Sequence, residues 1–215
     1  MTFLYYPYMS FLTKQLYSMA KKRRKIARIN LDYIYGNSIS NEEKENIILK
    51  SFQNYMYAIR SFVENDNISK ETLLGKISFT NKQIVDDAYN NGKKVIFNTG
   101  HFGHWETLVL SLSAFCSKGE AIGVAQYTKS NFINKIMHKV REQFGGVVLD
   151  RNHGLRDLLQ EIKNRHSVVL LLDQKANKNS SSLVSFLSKP SYYINTASLI
   201  ARKYDFVIIP TYINT

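Results

Sequence analysis

From residue 94 onward, short apolar runs alternate with segments of helical periodicity, and this alternation restricts the possible folds more than any other feature. Residues 167–172 (SVVLLL) form a continuous apolar run, which is typical of a strand buried on both faces. Parallel strands need long crossover connections, which helices of about 10–14 residues can supply. We therefore predict an α/β fold with a mixed, largely parallel central sheet flanked by helices. The predicted strands are residues 94–98, 121–126, 147–149, 167–172, 183–186 and 206–213, and the predicted helices are residues 82–91, 104–116, 131–144, 154–164 and 192–203.

The N-terminal part of the chain lacks strand signals. Residues 41–63 keep the apolar spacing of a helix, with Asn41 as a plausible N-cap and acidic residues in the first turn. We predict two units: a helical, membrane-proximal segment over residues 1–80, and an α/β core over residues 81–215. The sequence stops at Thr215, just after a predicted strand, so we expect a fragment whose C-terminal part is missing.

The composition favours a folded chain with anionic partners. Hydrophobic residues make up 44% of the 215 residues, which excludes global disorder. There are 29 Lys and Arg against 17 Asp and Glu, which gives a formal net charge of +12. Such a chain should prefer an anionic partner: nucleic acid, an anionic membrane, phosphorylated lipids or an acidic protein. The single cysteine, Cys116, excludes a disulfide framework and a cysteine-built zinc site. No apolar run reaches the length of about 18 residues that a spanning helix needs.

An aromatic N-terminus is followed by a dense basic cluster. Residues 1–20 are rich in aromatics and nearly uncharged, and they precede Lys21, Lys22, Arg23, Arg24, Lys25 and Arg28. Aromatic rings at headgroup depth beside cations that meet lipid phosphates are typical of a membrane-surface segment. A solvated helix end beside a packed helix explains the same pattern. A nucleic-acid arm fits less well, because the aromatics precede the charges instead of alternating with them.

The segment between the strand at 94–98 and the following helix carries the chemistry. Ligands of open α/β sheets bind at the carboxyl ends of strands. Here His101 can accept a proton, and Glu106 can bind the other ring nitrogen if the chain turns between them. Gly100 and Gly103 allow such a turn. Backbone N–H groups around Phe102–His104 would face a developing oxyanion. A structural histidine at a helix start is the alternative.

Several other side chains have two interpretations. His104 could join a metal site, but no third ligand is near, and a packing role fits better. Asp173 and Gln174 follow a strand, where they would either bind the turn around His101 or cap the next loop. Arg141 lies on a polar helix face and would be solvated or bind an anion.

The block HFGHWE (residues 101–106) resembles the HX4(D/E) motif of glycerolipid-type acyltransferases. The longer segment resembles the lipid A biosynthesis (late) acyltransferases of the lauroyl and myristoyl type. Further similar segments follow in the same order over residues 20–213: RRKIARINLDYIY at 23–35, REQFG at 141–145 with Arg151, VLLLDQ at 169–174, SFL at 185–187 with Pro190, and the helix–strand pair at 197–210.

This resemblance implies a glycerolipid acyltransferase-like core that transfers a fatty acyl chain from acyl carrier protein to a hydroxyl of a lipid A precursor. His101 would be the general base and Glu106 would orient it. The substrate-binding residues would be Arg141, Arg151, Asp173, Gln174 and Lys129, and the turn residues Gly100, Phe102, Gly103 and His104 would bind the oxyanion. No cofactor or metal is implied. The expected partners are acyl carrier protein, a phosphorylated lipid acceptor and the anionic cytoplasmic face of the inner membrane, with no nucleic acid.

Two other functions remain compatible with the sequence. One is an acyltransferase that uses a different lipid acceptor. The other is an inactive, truncated relative that binds anionic membrane or nucleic acid through its basic surface. The sequence departs from the family pattern at residues 126–129 (QYTK) and 186–188 (FLS), which bears on acceptor and acyl specificity.

Overall fold

A five-stranded, fully parallel sheet lies at the centre of the fold, in the order β3-β2-β4-β1-β7. The computed structural model describes residues 7–116, 121–125, 130–150, 154–164, 167–174, 176, 178 and 181–214. The strands of this sheet are β1 (Lys94–Thr99), β2 (Ala121–Ala125), β3 (Val147–Asp150), β4 (Ser167–Leu171) and β7 (Phe206–Pro210). The predicted α/β class with a largely parallel sheet flanked by helices is confirmed.

Helices cover both faces of the sheet because successive strand side chains point to opposite sides. On β1, Val95 and Phe97 face one apolar cluster, while Ile96 faces another on the opposite side. The first cluster is closed by α5 (Lys82–Asn90) and α6 (Trp105–Phe115), and the second by α8 (Gly154–Asn164) and α9 (Thr196–Tyr204). The remaining helix of the core, α7 (Asn131–Glu142), packs against α6 and β3.

The strand order brings two chain segments together that are far apart in sequence. β1 pairs with β4 in parallel, with Thr99 opposite Leu171. Because parallel strands end at the same edge, the turn after β1 lies beside the residues that follow β4. Backbone bonds tie this edge together, since Leu172 N donates to Thr99 O at 3.1 Å.

The N-terminal helical segment contains α1 (Pro7–Met19), α2 (Lys21–Tyr35), α3 (Asn41–Glu64) and α4 (Lys70–Gly75). Ser40, and not Asn41 as predicted, is the N-cap of α3. Its hydroxyl accepts from Glu43 N at 3.1 Å, and the Glu43 carboxylate accepts from Ser40 N at 2.7 Å, which makes a capping box. Among the described helices, none combines the length and the apolar character that crossing a bilayer requires.

The prediction of one helix over residues 192–203 is wrong in its first part. β5 (Ser181–Phe186) and β6 (Lys189–Ile194) form an antiparallel hairpin, and α9 begins only at Thr196. The hairpin turn places Leu187 and Ser188 at φ of 49° and 62°. Two-residue turns of this kind usually contain Asn, Asp or Gly, so the local sequence lacks the signal by which such a turn is recognised.

Candidate active site

The turn between β1 and α6 is shaped by two glycines. A Cβ on Gly100 would lie 2.8 Å from Phe102 Cε1 and 3.0 Å from Asp173 Cβ, so only glycine lets the turn approach the end of β4 this closely. Gly103 has φ of 58°, in the left-handed region. The turn therefore leaves β1, passes against Asp173 and reverses at Gly103 before α6 begins.

His101 is held at this turn by Asp173. Asp173 Oδ1 lies 2.8 Å from the ring Nδ1 of His101, and Asp173 Oδ2 accepts the backbone N–H of His101 at 2.9 Å. An ionised carboxylate only accepts hydrogen bonds, so the proton of a neutral His101 ring is on Nδ1. Nε2 is then the basic nitrogen, and no described residue is hydrogen-bonded to it. Both side chains are partly open to solvent, at 37% and 38% exposure.

The expected pairing of His101 with Glu106 is wrong. The Glu106 carboxylate accepts two hydrogen bonds from Arg141, with Nε at 2.9 Å and a terminal nitrogen at 2.6 Å, and a third from Trp105 Nε1 at 3.3 Å. Glu106 lies in the first turn of α6 and points toward α7, which carries Arg141. Asp173 occupies the position that Glu106 was expected to take.

The Glu106–Arg141 pair is mostly buried, with side chains 14% and 15% exposed. Its fork geometry is the one in which arginine binds carboxylates most strongly. Trp105 connects the pair to His101, because its ring lies 5.8 Å from the imidazole in an edge arrangement. Tyr55 of α3 also stacks on Trp105, with the ring centroids 6.2 Å apart. Asp173 thus holds the His101 side chain directly, while the Glu106–Arg141 pair contacts it through Trp105.

His104 faces the N-terminal helices and not His101. Its Nδ1 lies 3.2 Å from the Ser61 hydroxyl of α3, and burial lowers the pKa of His104, partly offset by the Glu64 charge. The predicted packing role fits this position. Within the described residues, no three His, Cys, Asp or Glu side chains gather in a way that could hold a metal ion.

The expected oxyanion donors are only partly available. Phe102 N donates to Gly100 O at 3.0 Å, so this N–H is used inside the turn and the expectation for Phe102 is wrong. The N–H groups of Gly103 and His104 have no acceptor among the described residues. They lie at the start of α6, where helix geometry leaves N–H groups unpaired.

The remaining predicted site residues have different outcomes. Asp173 binds the turn, which was one of the two interpretations of its position, and Gln174 Nε2 lies 3.5 Å from His101 Nδ1. Arg141 binds Glu106 instead of standing in solvent. Lys129 and Arg151 lie outside the described residues. Ser61 and Tyr55 were not predicted, because nothing local marks a residue of α3 as a neighbour of a turn some forty residues later.

A cavity of about 450 Å³ adjoins the turn on the Asp173 side. It lies at the carboxyl ends of β1, β4 and β7, where ligands of open α/β sheets bind, and β6 and α9 form its other walls. Gly100, Phe102 and Asp173 belong both to the turn and to the cavity lining. A ligand in the cavity would therefore contact the structure that holds His101.

Comparisons with a family model and with individual known proteins agree on one family. The family described as bacterial lipid A biosynthesis acyltransferase matches residues 2–214. The chain is similar to the lipid A biosynthesis myristoyltransferase of Escherichia coli (strain K12), with 23% identity over 171 residues, which cover 79% of this chain and 52% of the relative. It is also similar to lipid A biosynthesis acyltransferase 2 of Shigella flexneri, with 23% identity over 86% of this chain and 57% of the relative.

The chain thus spans about half the length of the curated relatives it matches. The family match covers nearly every residue, including the turn at 100–104, Glu106, Arg141 and Asp173. The chain therefore belongs to the bacterial lipid A biosynthesis acyltransferase family.

Proposed function

We propose that this chain transfers a fatty acyl group from an acyl carrier protein thioester to a hydroxyl of a lipid A precursor. Family membership supports an acyltransferase with an acyl donor and a lipid A precursor as acceptor. The observation that carries the mechanism is the 2.8 Å contact between His101 Nδ1 and Asp173 Oδ1. This contact leaves Nε2 free to act as a base at the carboxyl ends of the strands.

In this mechanism His101 Nε2 takes the proton of the acceptor hydroxyl as the oxygen attacks the thioester carbonyl. The Asp173 carboxylate stabilises the imidazolium that forms. The tetrahedral intermediate then collapses, the carbon–sulfur bond breaks, and the imidazolium returns its proton to the leaving thiolate. A thioester is already an activated acyl group, so the reaction does not need a covalent enzyme nucleophile.

Two backbone N–H groups, those of Gly103 and His104, can stabilise the negative charge of the intermediate. They stand at the start of α6, where the helix dipole favours an anion. Arg141 donates two hydrogen bonds to Glu106, so we assign it the role of positioning Glu106 and not of binding the intermediate. Lys129 and Arg151 remain proposed ligands of the phosphates of the acceptor.

We place the chain on the cytoplasmic face of the inner membrane, held at least in part by α2. This helix buries no residue, and its side chains Ile26, Ile29 and Tyr33 form an exposed apolar stripe at helical spacing. Four cations at its beginning are exposed: Lys21, Lys22, Arg23 and Lys25. A helix with such a composition fits the interface of an anionic bilayer, where each cation contributes about 1 kcal/mol.

The membrane proposal is tested with vesicles of neutral lipid and vesicles containing phosphatidylglycerol. Binding should require the anionic lipid, weaken with salt, and fall when the four exposed cations of α2 are replaced by serine. The matched control replaces four cations that are exposed outside α2 by serine: Lys50, Lys70, Lys76 and Lys203. Equal loss of binding in both variants would argue against a specific role for α2.

The transfer proposal is tested by incubating the chain with acylated carrier protein and a Kdo-lipid A precursor, and by detecting the product by mass spectrometry. His101→Ala should reduce the rate by about 100- to 10,000-fold. The matched control is His138→Ala, which removes an imidazole paired with Glu142 on α7. Transfer only to another lipid hydroxyl would favour a different acceptor. No transfer, together with vesicle binding, would favour an inactive membrane-binding relative.

A further inference from the structure

The inner wall of the cavity contains polar side chains that the protein does not satisfy. Asn98 Oδ1 and Thr99 Oγ1 are buried at the end of β1, and neither has a hydrogen-bond partner among the described residues. Thr99 is only 8% exposed. The backbone carbonyls of both residues are already bonded, since Thr211 N donates to Asn98 O at 2.9 Å and Leu172 N donates to Thr99 O at 3.1 Å. Buried side-chain oxygens are normally paired, so an unpaired oxygen in the wall of a cavity points to a ligand. Thr99 shares a face of β1 with Val95 and Phe97, away from α9, so Asn98 Oδ1 is the oxygen that bears on a ligand here.

The orientation of Asn98 follows from strand geometry. Ile96 packs in the cluster that contains Ala197 and Ile200 of α9. Residues two apart on a strand share a face, so the side chain of Asn98 also points toward α9. Ala197 and Ser198 of α9 line the cavity together with Asn98. The unpaired oxygen of Asn98 therefore faces the space between β1 and α9.

The charge of the lining selects an uncharged ligand. Asp173 is its one ionisable carboxylate, and none of the described lining residues is Lys or Arg. A phosphate would meet a negative charge without a cation, which is unfavourable. Most of the remaining wall is apolar and includes Leu172, Ile194, Ile208 and Pro210. This combination fits a slender neutral chain with a few polar groups.

Hydrogen bonding separates two kinds of neutral chain. A hydrocarbon would cover the Asn98 oxygen without giving it a donor, which leaves a buried acceptor unsatisfied. A chain with secondary amides can donate an N–H to that oxygen and lay its methylene groups on the apolar wall. The unpaired acceptor therefore favours an amide-bearing chain over an acyl chain.

We infer that this cavity binds the pantetheine arm of the thioester donor, with an amide N–H of the arm donating to Asn98 Oδ1. The inference rests on the proposed function, since it assigns a site to the donor of that reaction. Pantetheine is uncharged and carries two secondary amides in a narrow chain. Gly100, Phe102 and Asp173 line the end of the cavity next to the His101 turn, which is where the sulfur of the arm must arrive.

The test measures binding of pantetheine, dodecanol and glucosamine to the whole chain by calorimetry. Pantetheine should bind, and Asn98→Leu should raise its Kd by about 3- to 10-fold, as expected for the loss of one neutral hydrogen bond. Ser198→Phe should weaken binding by more than about 10-fold, because a ring would enter the cavity from the exposed face of α9. Leu199→Phe is the matched control, since Leu199 is exposed on α9 and does not line the cavity.

The sign of the Asn98→Leu effect distinguishes the ligands. Tighter dodecanol binding in this variant, with no change for pantetheine, would identify a hydrocarbon pocket and overturn the inference. Glucosamine binding that excludes pantetheine would overturn it in favour of the acceptor. Because binding is measured without turnover, His101→Ala should lose transfer and keep the pantetheine Kd. Pantetheine binding without any transfer would contradict the proposed function but not this inference. Transfer without pantetheine binding would contradict this inference but not the proposed function.

Discussion

Replacing Asp173 by asparagine separates the orientation of His101 from the stability of the fold. Asparagine keeps one oxygen for the His101 N–H, now 2.9 Å from Asp173 Oδ2, but it presents an NH2 group to the ring where Oδ1 now lies at 2.8 Å. That group donates, so the ring proton moves to Nε2 and the base at Nε2 is lost. In serine-hydrolase triads the corresponding change lowers kcat by about 10,000-fold.

The magnitudes predicted for activity and stability differ strongly. We expect Asp173→Asn to lower kcat/KM by about 100- to 10,000-fold, which corresponds to about 3–5 kcal/mol of barrier. The His101–Asp173 hydrogen bond is more than one-third exposed, so its loss should change the free energy of unfolding by no more than about 1 kcal/mol. Steady-state acyl transfer and urea unfolding measure the two effects on the same preparation.

The result that would refute the reasoning is equally specific. If Asp173→Asn keeps transfer within about threefold of wild type, the carboxylate does not orient the base. A large loss of activity with an equally large loss of stability would also contradict the account, because it would show a structural role. The matched variant Asp205→Asn changes an exposed carboxylate that pairs with Lys93 at 2.5 Å, and it should leave transfer unchanged.

Three further predictions concern the surroundings of the turn. Glu106→Gln should lower the free energy of unfolding by about 2 kcal/mol, because it leaves the mostly buried charge of Arg141 without its partner. In urea unfolding, the double variant of Glu106 and Arg141 should lose less stability than the two single variants lose together. Gly100→Ala should lower kcat/KM by about 10- to 100-fold, because its Cβ would displace the carboxylate that holds the base. Burial lowers the pKa of His104 in the folded state relative to the unfolded chain, so the unfolded chain binds the proton first as the pH falls. Stability should therefore fall as the pH drops through about 6.5, and His104→Asn should reduce this slope in urea unfolding.

Each of these predictions has a control and a contradicting outcome. Strictly additive losses in the Glu106–Arg141 cycle would show that the pair does not couple. Gly75→Ala adds a Cβ that meets nothing within 4 Å, so it should leave activity unchanged, and an equal loss at both glycines would remove the argument from crowding. An unchanged pH slope in His104→Asn would assign the dependence to another group.

The centre of the sheet was predictable from the sequence because β1 and β4 are buried on both faces. Continuous apolar runs such as residues 167–172 indicate strands without any knowledge of the partner strand. The helices between them keep a clear apolar period. The hairpin was missed for the opposite reason: its turn residues Leu187 and Ser188 carry no turn signal, and residues 192–194 (YYI) also fit the start of a helix.

The partner of His101 was not predictable from the local motif. Spacing placed Glu106 five residues from His101, and that spacing suggested a pair. The actual partner comes from the end of β4, 72 residues away, and it reaches His101 only because β4 lies next to β1. Strand order is a property of the whole sheet, which no single segment encodes. The two possibilities for Asp173 could therefore be stated from sequence but not decided.

The protonation of the His101 ring is the most direct test of the central claim. Nitrogen-15 NMR of histidine-labelled protein distinguishes the two tautomers of the neutral ring, and His101→Gln assigns the signal. The account predicts a proton on Nδ1 and a bare Nε2 in the wild type, with the pattern reversed in Asp173→Asn. A wild-type ring that carries its proton on Nε2 would contradict the account, because the nitrogen proposed to accept the hydroxyl proton would already be occupied.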